Sequence, residues 1–121
     1  MDKIVIALGG NALQEGKGPA TAEAQLKVVE KTSEYIADII KKGYKVILAH
    51  GNGPQVGRIV LQNENSVSVT PAMPFDVCGA MSQGMIGYHM QQGLGKALKE
   101  RGDDTCVATV VTQVVVDKND K

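Results

Sequence analysis

The chain has 121 residues, 43% of them hydrophobic, and thirteen basic side chains balance thirteen acidic ones. That length supports one compact domain, and the even charge leaves no basic face for nucleic acid. No run approaches the about 20 apolar residues of a membrane helix, and the apolar run over 4–8 is too short for a signal-peptide core, so a cytoplasmic location is expected.

In chain order, "IVIAL" (4–8) predicts a strand buried on both faces, since it is a continuous apolar run rich in β-branched residues. Residues 14–19 follow as a loop. Over 20–42, Val28, Val29, Thr32, Ile36, Ile39 and Ile40 recur at helical spacing on one face. Lys41 and Lys42 suit the negative end of that helix, and Gly43 suits the left-handed position just past it. A second buried strand is predicted at 45–49. Pro54 then opens a helix that runs to Glu64, and 63–74 is irregular, with room for a short edge hairpin. A long helix over 75–101 stops at Gly102, and 105–116 predicts a third strand. This order predicts an α/β fold: a doubly wound, mainly parallel sheet with helices on both faces, in three layers.

Two glycine turns stand out: Gly9, Gly10, Asn11 after the first strand, and Gly51, Asn52, Gly53 after the second. In open α/β sheets, ligands bind beyond the carboxyl ends of the strands. Glycine admits close backbone approach and positive φ, and helix N-termini present unpaired N–H groups to anions. Two such turns side by side would make a pocket for a phosphoryl group, with Asn11 and Asn52 adding neutral hydrogen bonds. A single such turn is ordinarily just a connection. The dinucleotide fingerprint fails, because the glycine after Gly51 and Gly53 is Gly57, one place late. No phosphate-binding G-x-x-x-x-G-K-[ST] loop occurs.

Other candidates carry plainer explanations. His50 reads as a hydrogen-bonded strand-end residue before a general acid, and His89 as a surface or interface residue. Arg58 and Lys17 could face an anion or solvent, and Asp76 fits the first turn of the long helix. Cys78 and Cys106 lack partners at zinc spacing, so two buried reduced thiols and no metal site are expected. Ala80, Gly84, Gly87, Gln91 and Gly95 form a small-residue stripe on the long helix. Each interior glycine costs about 1 kcal/mol against alanine, so close approach of another segment must offset them.

Together "ALGGNAL", "HGNGPQVG", "PAMPFDVCGAMSQGMIGY" and "ATVVTQVVVD" resemble the carbamate kinases of the amino-acid kinase superfamily over 4–117. The resemblance implies ATP-dependent, Mg-assisted phosphoryl exchange between carbamate and carbamoyl phosphate, run toward ATP in arginine fermentation. It implies that Gly9, Gly10, Asn11, Gly51, Asn52 and Gly53 hold the acceptor and the transferred phosphoryl group, with no catalytic side chain assigned. It also implies a homodimer through the 75–101 helix. On this resemblance, 1–121 corresponds to an acceptor-binding N-terminal half. The ATP/ADP pocket and the charge-stabilising lysines would lie in a C-terminal half beyond Lys121, leaving the chain inactive and prone to association by itself. Two alternatives stand beside this one: a non-catalytic remnant that binds small anions or pairs with a full subunit, and a sibling kinase acting on another acid or phosphate.

Overall fold

A computed structural model describes residues 2–120. Its elements are β1 (Lys3–Leu8), a single 3-10 turn (Gly10–Ala12), α1 (Ala22–Lys41), β2 (Lys45–His50), α2 (Gly53–Asn65) and α3 (Phe75–Glu100). The strands β1 and β2 pair in parallel, from Lys3 opposite Lys45 to Leu8 opposite His50. Such a pair needs a crossover between its strands, and α1 supplies it.

The strands alternate rather than being buried throughout. Ile4, Ile6 and Leu8 of β1, with Val46, Leu48 and His50 of β2, face the covered side. On the other side Val5 is 67% and Ile47 55% exposed. Expected burial on both faces is therefore corrected to one, because α1 and α3 lie on the same side of the sheet. The core they close contains Leu8, Leu13, Val29, Ile36, Met90, Leu94 and Leu98, with Val46 and Leu48 against it.

The predicted helix ends are well formed. Thr21 caps α1, its hydroxyl accepting from the Ala24 N–H at 3.2 Å. Positive φ occurs among the described residues only at Gly43 (97°) and Gly102 (66°), just past α1 and α3. At Gly102 the full C-terminal hydrogen-bond pair forms, Asp103 N–H to the Leu98 carbonyl and Gly102 N–H to the Lys99 carbonyl, both 3.0 Å.

Gly93 sets how closely α1 and α3 approach. A Cβ there would lie 3.0 Å from Ser33 Oγ and 3.1 Å from Val29 Cγ1. At their ends the helices are clamped by Arg101, which donates to Glu34 Oε2 at 2.7 Å and Asp38 Oδ1 at 2.9 Å. The Glu34 hydrogen bond, then the one to Asp38, raises the Arg101 pKa above its usual range.

Several expectations change. Residues 105–116 form no ladder. They are held to α3 by side chains: Gln83 Nε2 donates to the Thr112 carbonyl (3.1 Å), Gln83 Oε1 accepts from the Thr112 N–H (2.7 Å), and Gln91 Nε2 donates to Thr109 Oγ1 (2.5 Å). Within the small-residue stripe, Gly87 is explained inside the chain, since a Cβ there would overlap the Thr109 side chain; Gly84 and Gly95 face open space. Residues 66–74 make a turn tied to α2 by Met73 N–H to Asn63 Oδ1 at 2.9 Å, not a hairpin. Both cysteines are free, but Cys106 is exposed while Cys78 is buried. His89 is buried too, at 7% exposure, with no partner for Nδ1; Ser33 Oγ is likewise unpartnered. Its place on α3 one turn before Gly93 turns it inward.

Gly95→Ala should raise stability by up to about 1 kcal/mol through helix propensity, whereas Gly93→Val should cost about 1–3 kcal/mol by overpacking the α1–α3 contact. Urea midpoints read by circular dichroism check both, and a stabilising Gly93→Val would refute the close contact. Burial lowers the His89 pKa below its ordinary 6.5. Below that value the unfolded imidazole takes up a proton that the folded one resists, so this contribution is present above pH 6.5 and lost as pH falls through the folded pKa. The urea midpoint should fall as pH is lowered from neutral through the ordinary histidine range, and His89→Asn should flatten the fall. An equal slope in the variant would contradict the assignment.

Candidate functional site

The pairing of Leu8 with His50 delivers both glycine turns at one level. Gly9 and Gly51 leave neighbouring strands, which in a sheet run about 4.8 Å apart. The sequence places two similar turns forty residues apart, and the strand register brings them side by side.

In the first turn, Ala12 N–H bonds the Gly9 carbonyl (3.1 Å), while Leu13 and Gln14 N–H bond the Gly10 carbonyl (3.1 and 3.0 Å). The donors at the head of this turn, Gly10 and Asn11 N–H, are left over by that geometry. Buried Leu13 anchors the turn from below, and Thr32 Oγ1 on α1 donates to the Ala12 carbonyl at 2.8 Å. In the second turn α2 starts at Gly53 with Pro54 in its first turn, and Val56 N–H bonds the Asn52 carbonyl at 2.9 Å.

The glycines serve space rather than backbone strain. A Cβ built on Gly9, Gly10, Gly51 or Gly53 meets nothing within 4 Å, and none of the four has positive φ. The expected use of positive φ at these turns is thus corrected. What they offer is unobstructed backbone facing open space.

The asparagines differ in role. Asn11 is exposed. Asn52 Nδ2 donates to Ser82 Oγ on α3 at 2.8 Å, and that hydroxyl donates to the Gly79 carbonyl at 2.6 Å. Asn52 is therefore fixed to α3 by its amide nitrogen, leaving its oxygen outside that bond. Ser82 is fully buried and was missed from sequence; its only signal was a polar residue on the inner face of α3.

Arg58 is half-buried and paired. Its Nη2 donates to Gln14 Oε1 at 2.5 Å, tying α2 to the loop after the first turn. His50 Nδ1–H donates to the Gly51 carbonyl at 2.9 Å, the structural role expected for it. Lys17 is exposed on the loop, and Asp76 lies in the first turn of α3. Next to Asn11, a cleft of about 450 Å³ runs between that loop and α1, lined by Gln14, Lys27, Lys31 and Tyr35. Among the described residues no three His, Cys, Asp or Glu side chains gather as a metal site, and no helix is long and apolar enough to cross a membrane.

Residues 2–118 match the amino acid kinase family. A carbamate kinase of Pyrococcus horikoshii is 50% identical over 98% of this chain and 38% of its own length. One from Clostridium perfringens is 49% identical over the same shares. Among solved structures, the carbamate kinase from Giardia lamblia bound to AMP-PNP superposes with a TM-score of 0.92 at 48% identity, covering 98% of this chain and 42% of that one. The chain thus spans about two fifths of the relatives it matches.

Proposed function

The chain belongs to the amino acid kinase family, and on that premise we propose that residues 1–121 are the acceptor-binding part of a carbamate kinase. The reaction is ATP + carbamate to ADP + carbamoyl phosphate, reversible and run toward ATP in arginine breakdown. The observation that carries this reading is the pair of glycine turns set level by the β1–β2 register, with open space before Gly9, Gly10, Gly51 and Gly53. Backbone amides there, with Asn11, would donate to the carbamate oxygens and the phosphoryl group in transfer, and Asn52 Oδ1 would accept from the carbamate NH2.

The chemistry suits such a site. The attacking oxygen of carbamate is already anionic and asks for no general base, so positioning and charge stabilisation are what remain. His50, committed to the Gly51 carbonyl, then shapes the turn and transfers no proton. Lys27 and Lys31 line the cleft beside Asn11, and among the described residues no group of three His, Cys, Asp or Glu gathers that would hold Mg. ATP and Mg would be held by polypeptide other than these residues. The Giardia lamblia relative, bound to AMP-PNP, supports nucleotide use by the complete fold.

A cytoplasmic homodimer completes the proposal. Val77, Met81 and Tyr88 leave an exposed apolar face along α3, and Gly84 on that face has open space above it. These are features a second copy could cover.

The test is ATP formation from carbamoyl phosphate and ADP. The 121-residue chain should form none, while a chain extended with the rest of a carbamate kinase should turn over. Gly10→Val or Gly53→Val in the extended protein should abolish turnover with circular dichroism unchanged, since the added branches fill the phosphoryl space. Near-normal rates in either variant would refute the site. Saturable turnover by the 121 residues alone would instead show a nucleotide site within them.

A further inference from the structure

We propose that Ser82 sets the substrate specificity of the paired turns: it holds the Asn52 amide one way round, so that Oδ1 is an acceptor that selects carbamate over acetate. Buried Ser82 touches no substrate and acts through Asn52 as a positioning residue. The inference rests on the proposed function, in that it takes carbamate to lie against Gly51, Asn52 and Gly53.

The orientation follows from counting protons. Ser82 Oγ lies 2.6 Å from the Gly79 carbonyl oxygen and 2.8 Å from the Asn52 amide. The carbonyl has no proton to give, so the one hydroxyl proton of Ser82 lies between those two oxygens. What Ser82 turns toward Asn52 is a lone pair, and only the NH2 end of the amide can answer it. The reversed amide would set two acceptor oxygens 2.8 Å apart with no proton between them. Water does not relieve that contact, because Ser82 is 0% exposed, flanked one turn either way by buried Cys78 and Ile86.

Oδ1 is thereby left for a ligand. Asn52 is the N-cap residue of α2, a position where an asparagine oxygen ordinarily accepts from the first turn of its helix. Here the side chain makes no such capping bond. Among the described residues Oδ1 accepts no other hydrogen bond, and it is not one of the buried unpartnered atoms, which are Ser33 Oγ and His89 Nδ1. Its neighbours Gly51 and Gly53 both face open space. The backbone amides of the turns donate, and donors alone would take any small carboxylate. Carbamate and acetate have the same charge and nearly the same shape, and differ in NH2 or CH3 on the carboxyl carbon. An acceptor fixed at Oδ1 bonds the NH2 and gains nothing from the methyl group, which displaces its water.

Carbamoyl phosphate and acetyl phosphate have the phosphoryl group in common and differ only at the NH2, so the pair isolates this contact. Amide chemical shifts at 51–53 of the chain read both dissociation constants. The wild-type chain should bind carbamoyl phosphate roughly five- to tenfold more tightly, the worth of about one hydrogen bond. In Ser82→Ala the two constants should converge, and the Asn52 side-chain NH2 should lose its hydrogen-bonded shift and exchange faster with water. Asn52→Ala leaves the bond from Ser82 to Gly79 intact and should abolish the preference too; it decides the matter if Ser82→Ala does not fold by circular dichroism. Equal affinities in the wild-type chain, or an undiminished preference in either variant, overturn the proposal and leave the phosphoryl site standing. A wild-type chain in which neither ligand shifts 9–11 or 51–53 overturns the proposed function and this inference with it.

Discussion

The parallel pairing of β1 with β2 is the constraint on which the other features depend. Because Leu8 lies opposite His50, the chain leaves both strands at the same height, and the two glycine turns become one surface. A slip of one residue would turn Ile6 and Leu8 from the core to solvent, so the register is secured by the same burial that closes the core. The candidate site is a by-product of core packing in this sense: its geometry is set by Leu8, Val46 and Leu48, none of which would touch a ligand.

The helices make that register rigid at the turns. Thr32 reaches from α1 to the Ala12 carbonyl, Ser82 from α3 to Asn52, and Arg58 from α2 to Gln14. Each helix thus holds one point of the paired turns. The glycine at Gly93 lets α1 and α3 close over the sheet, and Arg101 joins their C-terminal ends to Glu34 and Asp38. These contacts stabilise the platform, and the platform positions the amides.

Local signals were legible because they rest on nearest-neighbour physics. Gly43 took the left-handed conformation expected of it, Gly102 ended its helix where expected and is left-handed too, and the three long helices appeared within a few residues of their expected bounds. The two turns were visible as Gly-Asn clusters after apolar runs. What was not legible depended on partners distant in sequence. Residues 105–116 have strand composition, yet forming a ladder needs a neighbour, and β2 does not supply it. Val5 and Ile47 read as buried because apolar runs do not reveal how many faces are covered. His89 read as surface because helical spacing alone does not show that Gly93, one turn on, brings α1 so close. Ser82 and Gln14 were invisible as site residues, since each acts through one long-range hydrogen bond to a residue that was noticed.

On the proposed function little polar machinery is needed at the turns: in a phosphoryl transfer to an acceptor already charged, amides and space would do the positioning. The central claim is that these amides, and not the nearby cleft of Lys27 and Lys31, receive the anion. The most direct measurement is an amide chemical-shift titration of the chain with carbamoyl phosphate, paired with one using inorganic phosphate. Saturable shifts at the amides of residues 9–11 and 51–53 are the predicted result. Shifts confined to Lys27, Lys31 and Tyr35, with the glycine amides unmoved, would contradict it.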